Sequence, residues 1–278
     1  MNPAREGWAE SRGNAGGYNG AMLAPFLRIL GTVSHLVAGA LTVLLVFPRL
    51  DRPRRAAHVS RWAARLLAIL GIQVRVLGRR PVSGQAGVLI AANHVSWLDI
   101  HLLHSLLPAR FISKAEVRGW PLIGWLAEAA GTVFLVREKK ADAMRVNRAM
   151  AEHLRLGDCL ALFPEGTTSD GSELLPFYPS LFQPAVEAGT QVWPVRIRYR
   201  TAAGERSEAA AYHGDMSLGQ SFRRIVRARD IEAEVYFLPP IDSTGLSRRE
   251  LARRTEDAIR EGNDGPGSAP GSSARPPA

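Results

Sequence analysis

"VLIAANHVSWLDIHLL", residues 88–103, joins a short apolar run to the first turns of a helical pattern. The run is short, apolar and partly β-branched, which is typical of a buried strand. Ser96, followed three residues later by Asp99, predicts a helix start with Ser96 at the N-cap. His94 then lies in the loop between strand and helix. Because a carboxylate in the first helical turn can lean back toward this loop, the spacing permits a dyad of His94 and Asp99.

The rest of the central region alternates strand-like with helix-like segments, which is an α/β pattern. The strand-like segments are IQVRVLG, GVLIAA, ARFISK, GTVFLVR, CLALFP, QVWPVRIRYR and EAEVYFLPPI. Helices are predicted at about residues 97–107, 117–129, 141–156, 179–188 and 247–261. We assign residues 72–261 to one α/β domain.

The segments on either side of this domain have different compositions. Residues 1–21 are polar and glycine-rich, and residues 262–278 are rich in glycine, proline and serine, so both are predicted to be disordered. Residues 22–71 are predicted to form membrane-anchoring helices. Within them, residues 29–47 are 19 residues with His35 as the only titratable group, a length that suits a membrane helix.

A cluster of arginines follows the apolar run, at positions 49, 52, 54, 55, 61 and 65. By the positive-inside rule it places the following domain in the cytoplasm. Arg61 and Arg65 share one face of the pattern at residues 59–72, which predicts an interfacial helix. The alternative is that the two apolar segments form a buried pair of core helices.

The overall charge points to an acidic partner. The chain of 278 residues carries a net charge of +9 with a pI near 10.5, and arginine supplies nearly all of its basic residues. Nucleic acid, anionic lipid and an acidic carrier protein all fit this charge. Because the chain has no zinc-finger spacing and no aromatic RNA-binding signature, we predict no nucleic-acid partner. The single cysteine, Cys159, excludes an internal disulfide and agrees with a cytoplasmic setting.

Several further polar residues stand where predicted strands end. Lys114 and Arg137 end two strands, and Glu165, Gly166 and Thr167 follow a third in a glycine-rich turn. Ligands of α/β sheets bind at the carboxyl ends of strands, where these residues converge with His94. Glycine and threonine in such a turn can offer backbone amides and a hydroxyl to an anion. Taken singly, Glu165 also fits a turn carboxylate and Arg137 a solvated strand end.

Four motifs together resemble a known family. NHVSWLD, GTVFLVR, FPEGTTS and VWPV occur in the order and rough spacing of the motifs of the glycerolipid acyltransferase superfamily, and are most similar to those of bacterial 1-acylglycerol-3-phosphate acyltransferases. The resemblance covers roughly residues 70–240. It implies a mixed, largely parallel sheet flanked by helices, and a membrane-bound enzyme of the bacterial cytoplasmic membrane with its catalytic domain facing the cytoplasm. Two positions depart from the family pattern: Thr168 replaces a frequent arginine, and Trp193 replaces a frequent aliphatic residue.

The resemblance also implies a reaction. A fatty acyl group moves from acyl-CoA or acyl carrier protein to the free hydroxyl of a lysolipid. The expected acceptor is 1-acylglycerol-3-phosphate, and the alternative is lyso-ornithine lipid. His94 is expected to act as general base and Asp99 to orient it, with no metal and no cofactor. Arg137, Glu165, Gly166 and Thr167 are expected to hold the polar head of the acceptor, with Lys114 as a further phosphate ligand.

Two other functions remain open. His94, Asp99, His101 and His104 offer ligand types for a metal-dependent hydrolase, although they do not share one helix face. The other is a catalytically silent, membrane-tethered lipid-binding protein. The chain has no G-x-S-x-G nucleophile elbow, no Walker P-loop and no G-x-G-x-x-G motif. A serine hydrolase, a P-loop ATPase and a dinucleotide oxidoreductase therefore have no support in the sequence.

Overall fold

A computed structural model describes residues 17–81, 87–135 and 140–262. Its helices and strands follow the predicted alternation. The helices are α1 Gly17–Leu41, α2 Arg52–Leu70, α3 Leu98–Leu106, α4 Ile123–Ala129, α5 Lys140–Arg155, α6 Gln183–Ala188, α7 Leu218–Arg227 and α8 Arg248–Glu261. The strands are β1 Ile72–Gly78, β2 Val88–Ala92, β3 Arg110–Lys114, β4 Val133–Leu135, β5 Cys159–Leu162, β6 Gln191–Arg200, β7 Ile231–Phe237 and β8 Ile241–Asp242. The segments predicted to be disordered lie mostly outside the described residues, but residues 17–21 form the start of α1, so the prediction of disorder is wrong for them.

Within these residues the strands form one mixed sheet in the order β1-β7-β6-β2-β5-β3-β4, and β8 pairs with β6. Strands β6, β2, β5, β3 and β4 run parallel, whereas β7 is antiparallel to β6 and β1 is parallel to β7. The predicted mixed, largely parallel sheet is thereby confirmed. Its direction change has a consequence for the site: the carboxyl ends of β2 and β6 share one edge of the sheet with the amino ends of β7 and β1. We call this the catalytic edge.

The sequence accounts for the burial of the central strands. Val88–Ala92 is buried along nearly its whole length, as expected for an apolar run in the middle of a parallel sheet. Two hydrophobic clusters cover the two faces, one lined by α2, α3 and α7 and the other by α5, α6 and α8. Helix α7 is absent from the helices predicted above. Its local signal is present, because Ser217 and Gln220 form a reciprocal capping box.

The N-terminal helix is apolar and largely exposed. The helical segment Leu23–Arg49 is long and apolar enough to cross a membrane, by length and composition, and only 11% of its most apolar window is buried. One face of α1 packs against the domain: Arg28 donates to the carbonyls of Val226 and Ala228, and His35 stacks on Trp62 at 4.8 Å. Gly39 lets the two helices approach closely, because a Cβ there would lie 2.5 Å from Trp62 Nε1.

Helix α2 combines the two alternatives offered by the sequence. Leu66, Leu67 and Leu70 are buried in the core, while Arg61 and Arg65 are exposed, as predicted. The core-pair interpretation is therefore right for one face of α2 and wrong for α1. The predicted contact of the arginine face with a membrane surface stays a prediction.

Candidate active site

The side chains of His94 and Asp99 meet at the catalytic edge, as the spacing predicted. His94 Nδ1 lies 2.8 Å from Asp99 Oδ2, with the histidine side chain 17% exposed and the aspartate fully buried. A carboxylate accepts, so Nδ1 carries the proton of the neutral imidazole and Nε2 carries the free lone pair. The geometry thus presents a basic nitrogen whose tautomer is fixed by a buried anion.

Asp99 is held by three further donors. Its Oδ2 accepts from the backbone N–H groups of Val95 at 2.7 Å and Ser96 at 2.9 Å, and its Oδ1 accepts from the Tyr199 hydroxyl at 2.6 Å. Burial, followed by the Asp99 charge, raises the pKa of Tyr199 well above its usual value, so this hydroxyl stays protonated and donates. The carboxylate therefore has a fixed position and a satisfied charge.

The helix start differs from the prediction by one residue. Helix α3 begins at Leu98 with Trp97 at its N-cap, not Ser96. The Ser96 hydroxyl accepts from the Leu98 N–H at 3.4 Å rather than from Asp99. The Asp99 carboxylate turns back over the loop and accepts from the Ser96 N–H, which is one half of the predicted capping box, and it also accepts from the Val95 N–H and the imidazole.

The imidazole plane is fixed by aromatic packing. The ring of His94 stacks on Phe163 with centroids 3.9 Å apart and planes 6° from parallel, and Phe163 in turn stacks on Phe111 at 5.7 Å. Phe163 directly follows β5, so the neighbouring parallel strand supplies the support. Stacking and the Asp99 bond together restrain the ring of His94.

Glu165 supports the same loop from the other side. Its side chain is 3% exposed, and its two oxygens accept from the backbone N–H groups of His94 at 2.6 Å and Leu175 at 2.9 Å. Burial raises the pKa of Glu165 to about 7, against the lowering effect of these two donors. This geometry is that of the turn carboxylate named above as the alternative. It makes Glu165 a positioning residue for His94, while contact with an acceptor headgroup stays a prediction.

The structure describes the other predicted binding residues only in part. Gly166, at φ +69°, donates its N–H to the Phe163 carbonyl at 3.1 Å, and its predicted role in binding the acceptor headgroup stays a prediction. Thr167 is exposed beside it. Lys114 ends β3 at the same edge of the sheet as the end of β2. Arg137 and the side chain of Lys114 lie outside the described residues.

The sequence is similar to those of known acyltransferases. A family model described as Acyltransferase matches residues 73–198. Lyso-ornithine lipid O-acyltransferase of Pseudomonas aeruginosa is 45% identical over 208 residues, which cover 75% of this chain and 79% of that protein. 1-acyl-sn-glycerol-3-phosphate acyltransferase of Neisseria gonorrhoeae is 40% identical over 195 residues, covering 70% and 76%. The chain belongs to the acyltransferase family.

The fold of this acyltransferase is also that of a solved structure. The crystal structure of the 1-acyl-sn-glycerophosphate (LPA) acyltransferase from Thermotoga maritima superposes with a TM-score of 0.64 over 88% of this chain and 95% of that chain, at 24% identity. The sheet architecture expected from the resemblance is therefore shared with a member of the family.

The two departures from the family pattern lie in different places. Trp193 pairs with Ile90 and packs partly buried against the core, two residues before the position that pairs with Ala92 at the end of β2. Thr168 precedes Ser169, whose N–H donates to the His94 carbonyl at 2.9 Å. Only Thr168 is therefore adjacent to the loop of the histidine.

The two other histidines of α3 are packing residues in this acyltransferase. His101 contacts the rings of Trp62 and Trp97 at 5.7 Å each, and His104 contacts Phe111 at 4.7 Å. Burial is the main cause that lowers their pKa values to about 4 and about 3. In the part of the chain that the structure describes, no three His, Cys, Asp or Glu side chains converge as a metal site. The hydrolase alternative thus gains no support from the geometry.

Tyr199 is a site residue that was not predicted from the sequence. It lies 100 residues from Asp99, in a strand that was predicted correctly. Its signal was the alternation of Val195, Ile197 and Tyr199 with arginines, which predicts that the tyrosine faces inward and needs a partner for its hydroxyl. The alternation does not reveal that the partner is Asp99.

Replacement of Glu165 by glutamine is expected to destabilise the protein. In Glu165→Gln the side chain keeps one carbonyl oxygen, and its amide group faces the second N–H donor. A buried N–H left without an acceptor costs roughly 1–3 kcal/mol, so we expect the free energy of unfolding to fall by that amount, measured by denaturant titration in detergent. Glu173→Gln, at an exposed position in the same loop, is the matched control and should be neutral. Equal stability of the two variants would contradict the positioning role.

Proposed function

We propose that this acyltransferase transfers a fatty acyl group from a thioester donor, acyl-CoA or acyl carrier protein, to the free hydroxyl of a lysolipid, with 1-acylglycerol-3-phosphate as the first choice of acceptor. The observation that carries the proposal is the buried Asp99–His94 pair at the catalytic edge of a chain with lysolipid acyltransferases among its relatives. The proposal includes no metal ion and no cofactor.

The geometry supports a direct transfer. An alcohol has a pKa far above neutral and needs a base within reach, which the lone pair of His94 Nε2 supplies. As the proton moves to Nε2, the hydroxyl oxygen bonds to the thioester carbonyl carbon. The C–S bond then breaks, and the thiolate takes the proton back from the imidazolium. Asp99 stabilises that imidazolium without itself being protonated.

The donors that stabilise the oxyanion are not those nearest the histidine. The N–H of His94 donates to Glu165, and the N–H groups of Val95 and Ser96 donate to Asp99. These three backbone amides are therefore already engaged within the protein. The donors therefore come from elsewhere in the site.

We also propose where the enzyme works. The apolar exposed face of α1 and the arginine face of α2 support attachment to the bacterial cytoplasmic membrane with the catalytic domain in the cytoplasm. The lysolipid is a membrane component, so this attachment brings enzyme and acceptor together. The net charge of +9 suits anionic lipid and an acidic carrier protein or CoA.

The acceptor is the part of the proposal with a specific rival. Thr168 stands where the family often has an arginine, and one relative at 45% identity is a lyso-ornithine lipid acyltransferase. A headgroup without a phosphate has less need of a guanidinium there.

Purified enzyme assayed with lysophosphatidate and lyso-ornithine lipid, each with both thioester donors, tests the proposal. We expect lysophosphatidate to be acylated, with His94→Ala as the inactive control. A clear preference for lyso-ornithine lipid would replace the first acceptor. Transfer to neither lysolipid by the wild-type chain would overturn the proposed function.

A further inference from the structure

A second exposed apolar surface lies on the catalytic domain, apart from the N-terminal helix. It consists of Trp120, Leu122, Ile123 and Trp125, which are between 40% and 46% exposed, and we call it the tryptophan patch. Large apolar side chains scattered singly on a surface are ordinary, but four within six residues, two of them tryptophan, form a contiguous group. Such a group needs a partner.

The backbone holds one member of the patch outward. Leu122 has φ +62° and ψ −49°. Among the residues that the structure describes, every other residue with positive φ is a glycine. A branched side chain in this region is strained, so the surrounding structure must impose it. The result is an exposed leucine at the turn that precedes α4.

The topology places the patch at the catalytic edge. Strand β3 runs parallel to β5 and β2, so its carboxyl end at Lys114 is on the edge where His94 lies. The chain leaves that end through the 3₁₀ turn Ala115–Gly119 and reaches Trp120 directly. The patch therefore opens beside the active site and not at the far edge.

The exposed face of α1 reaches the same edge from the other side. Arg28 bonds to the carbonyls of Val226 and Ala228, just before β7 begins, and β7 runs antiparallel to β6. The amino end of β7 is thus at the catalytic edge, and the exposed residues Leu23, Phe26, Leu27 and Leu30 flank this anchor point. Strands β7 and β3 each lie two strands from β2, so the two apolar surfaces lie on either side of the strand that leads to His94.

We propose that the tryptophan patch docks on the surface of the lipid bilayer, as a second membrane contact that works with α1. The inference rests on the proposed function, because a lysolipid acceptor is in the bilayer. Tryptophan favours the boundary between headgroups and acyl chains, and leucine inserts below it. Two apolar contacts on either side of β2 hold the catalytic edge against the membrane, so that the acceptor hydroxyl reaches His94 without leaving the lipid phase.

Fluorescence quenching tests the contact itself. The full-length chain is mixed with phosphatidylglycerol vesicles containing brominated acyl chains, which quench tryptophan that enters the bilayer. We expect the wild-type chain to be quenched and the double variant Trp120→Phe, Trp125→Phe to lose most of the quenched signal. Identical fractional quenching of both chains would overturn the proposal, whether or not the protein has acyltransferase activity.

A charged residue introduced into the tryptophan patch tests whether the patch contributes to acyl transfer at a membrane. Leu122→Glu should lower the rate with lysolipid presented in vesicles by about tenfold, because a buried apolar contact is lost, and should leave the rate in detergent micelles unchanged. Leu156→Glu is the matched control: Leu156 is 72% exposed but precedes β5, at the opposite edge of the sheet, and both rates should be unchanged.

Each other outcome identifies a different role. Equal loss in vesicles and micelles would place the patch in the fold or the site and overturn membrane docking. A loss confined to the carrier-protein donor would make it a protein-docking surface instead. If the wild-type chain transfers no acyl group in either system, the proposed function fails while the quenching result still decides the docking.

Discussion

Replacement of His94 by alanine is expected to lower the rate of acyl transfer by about 10²- to 10⁴-fold, the usual contribution of a positioned general base. Among the residues that the structure describes, the two histidines of α3 cannot replace the imidazole, because they are packed against Trp62, Trp97 and Phe111. The Michaelis constant for the lysolipid should change little, since the side chain acts on the proton and not on the headgroup. Initial rates with thioester donor and lysolipid measure both quantities.

The fold should tolerate this substitution. The backbone N–H of His94 still donates to Glu165, and its carbonyl still accepts from Ser169, so the loop keeps its main-chain bonds. His213→Ala, at an exposed position, is the matched control and should be fully active. Retention of more than about a tenth of the wild-type rate by His94→Ala would rule out general-base catalysis of ordinary size.

Asp99→Asn is the second large effect, and the structure sharpens what it tests. The asparagine carbonyl can take the position of Oδ2 and accept from His94 Nδ1, Val95 and Ser96, which places the new amide group toward the Tyr199 hydroxyl. That hydroxyl oxygen can accept as well as donate. The ring therefore stays oriented, and the substitution removes the negative charge.

We expect a fall of about 10²-fold in rate for Asp99→Asn, at the low end of the range expected for His94→Ala, because the base remains but its imidazolium is no longer stabilised. Asp230→Asn, at an exposed position, is the control. A wild-type rate in Asp99→Asn would show that the charge of Asp99 has no part in the reaction.

The sequence determined the features that depend on local patterns. The apolar run at Val88–Ala92, the polar loop after it and the start of α3 are set by neighbouring residues, and they bring His94 and Asp99 together across five positions. The same holds for the apolar segment of α1, whose length and lack of charge are visible without a fold. Helix α7 also had a local signal, the Ser217–Gln220 capping box.

Tertiary structure alone decided which distant groups support the dyad. Tyr199 reaches Asp99 across 100 residues, Glu165 reaches the His94 amide across 71, and both depend on strand order. Strand order and direction come from long-range pairing. The alternation of side chains along one strand does not reveal which strand pairs with it. The antiparallel direction of β7 is the clearest case. No residue in that strand indicates the direction, yet it brings α1 to the edge where His94 lies.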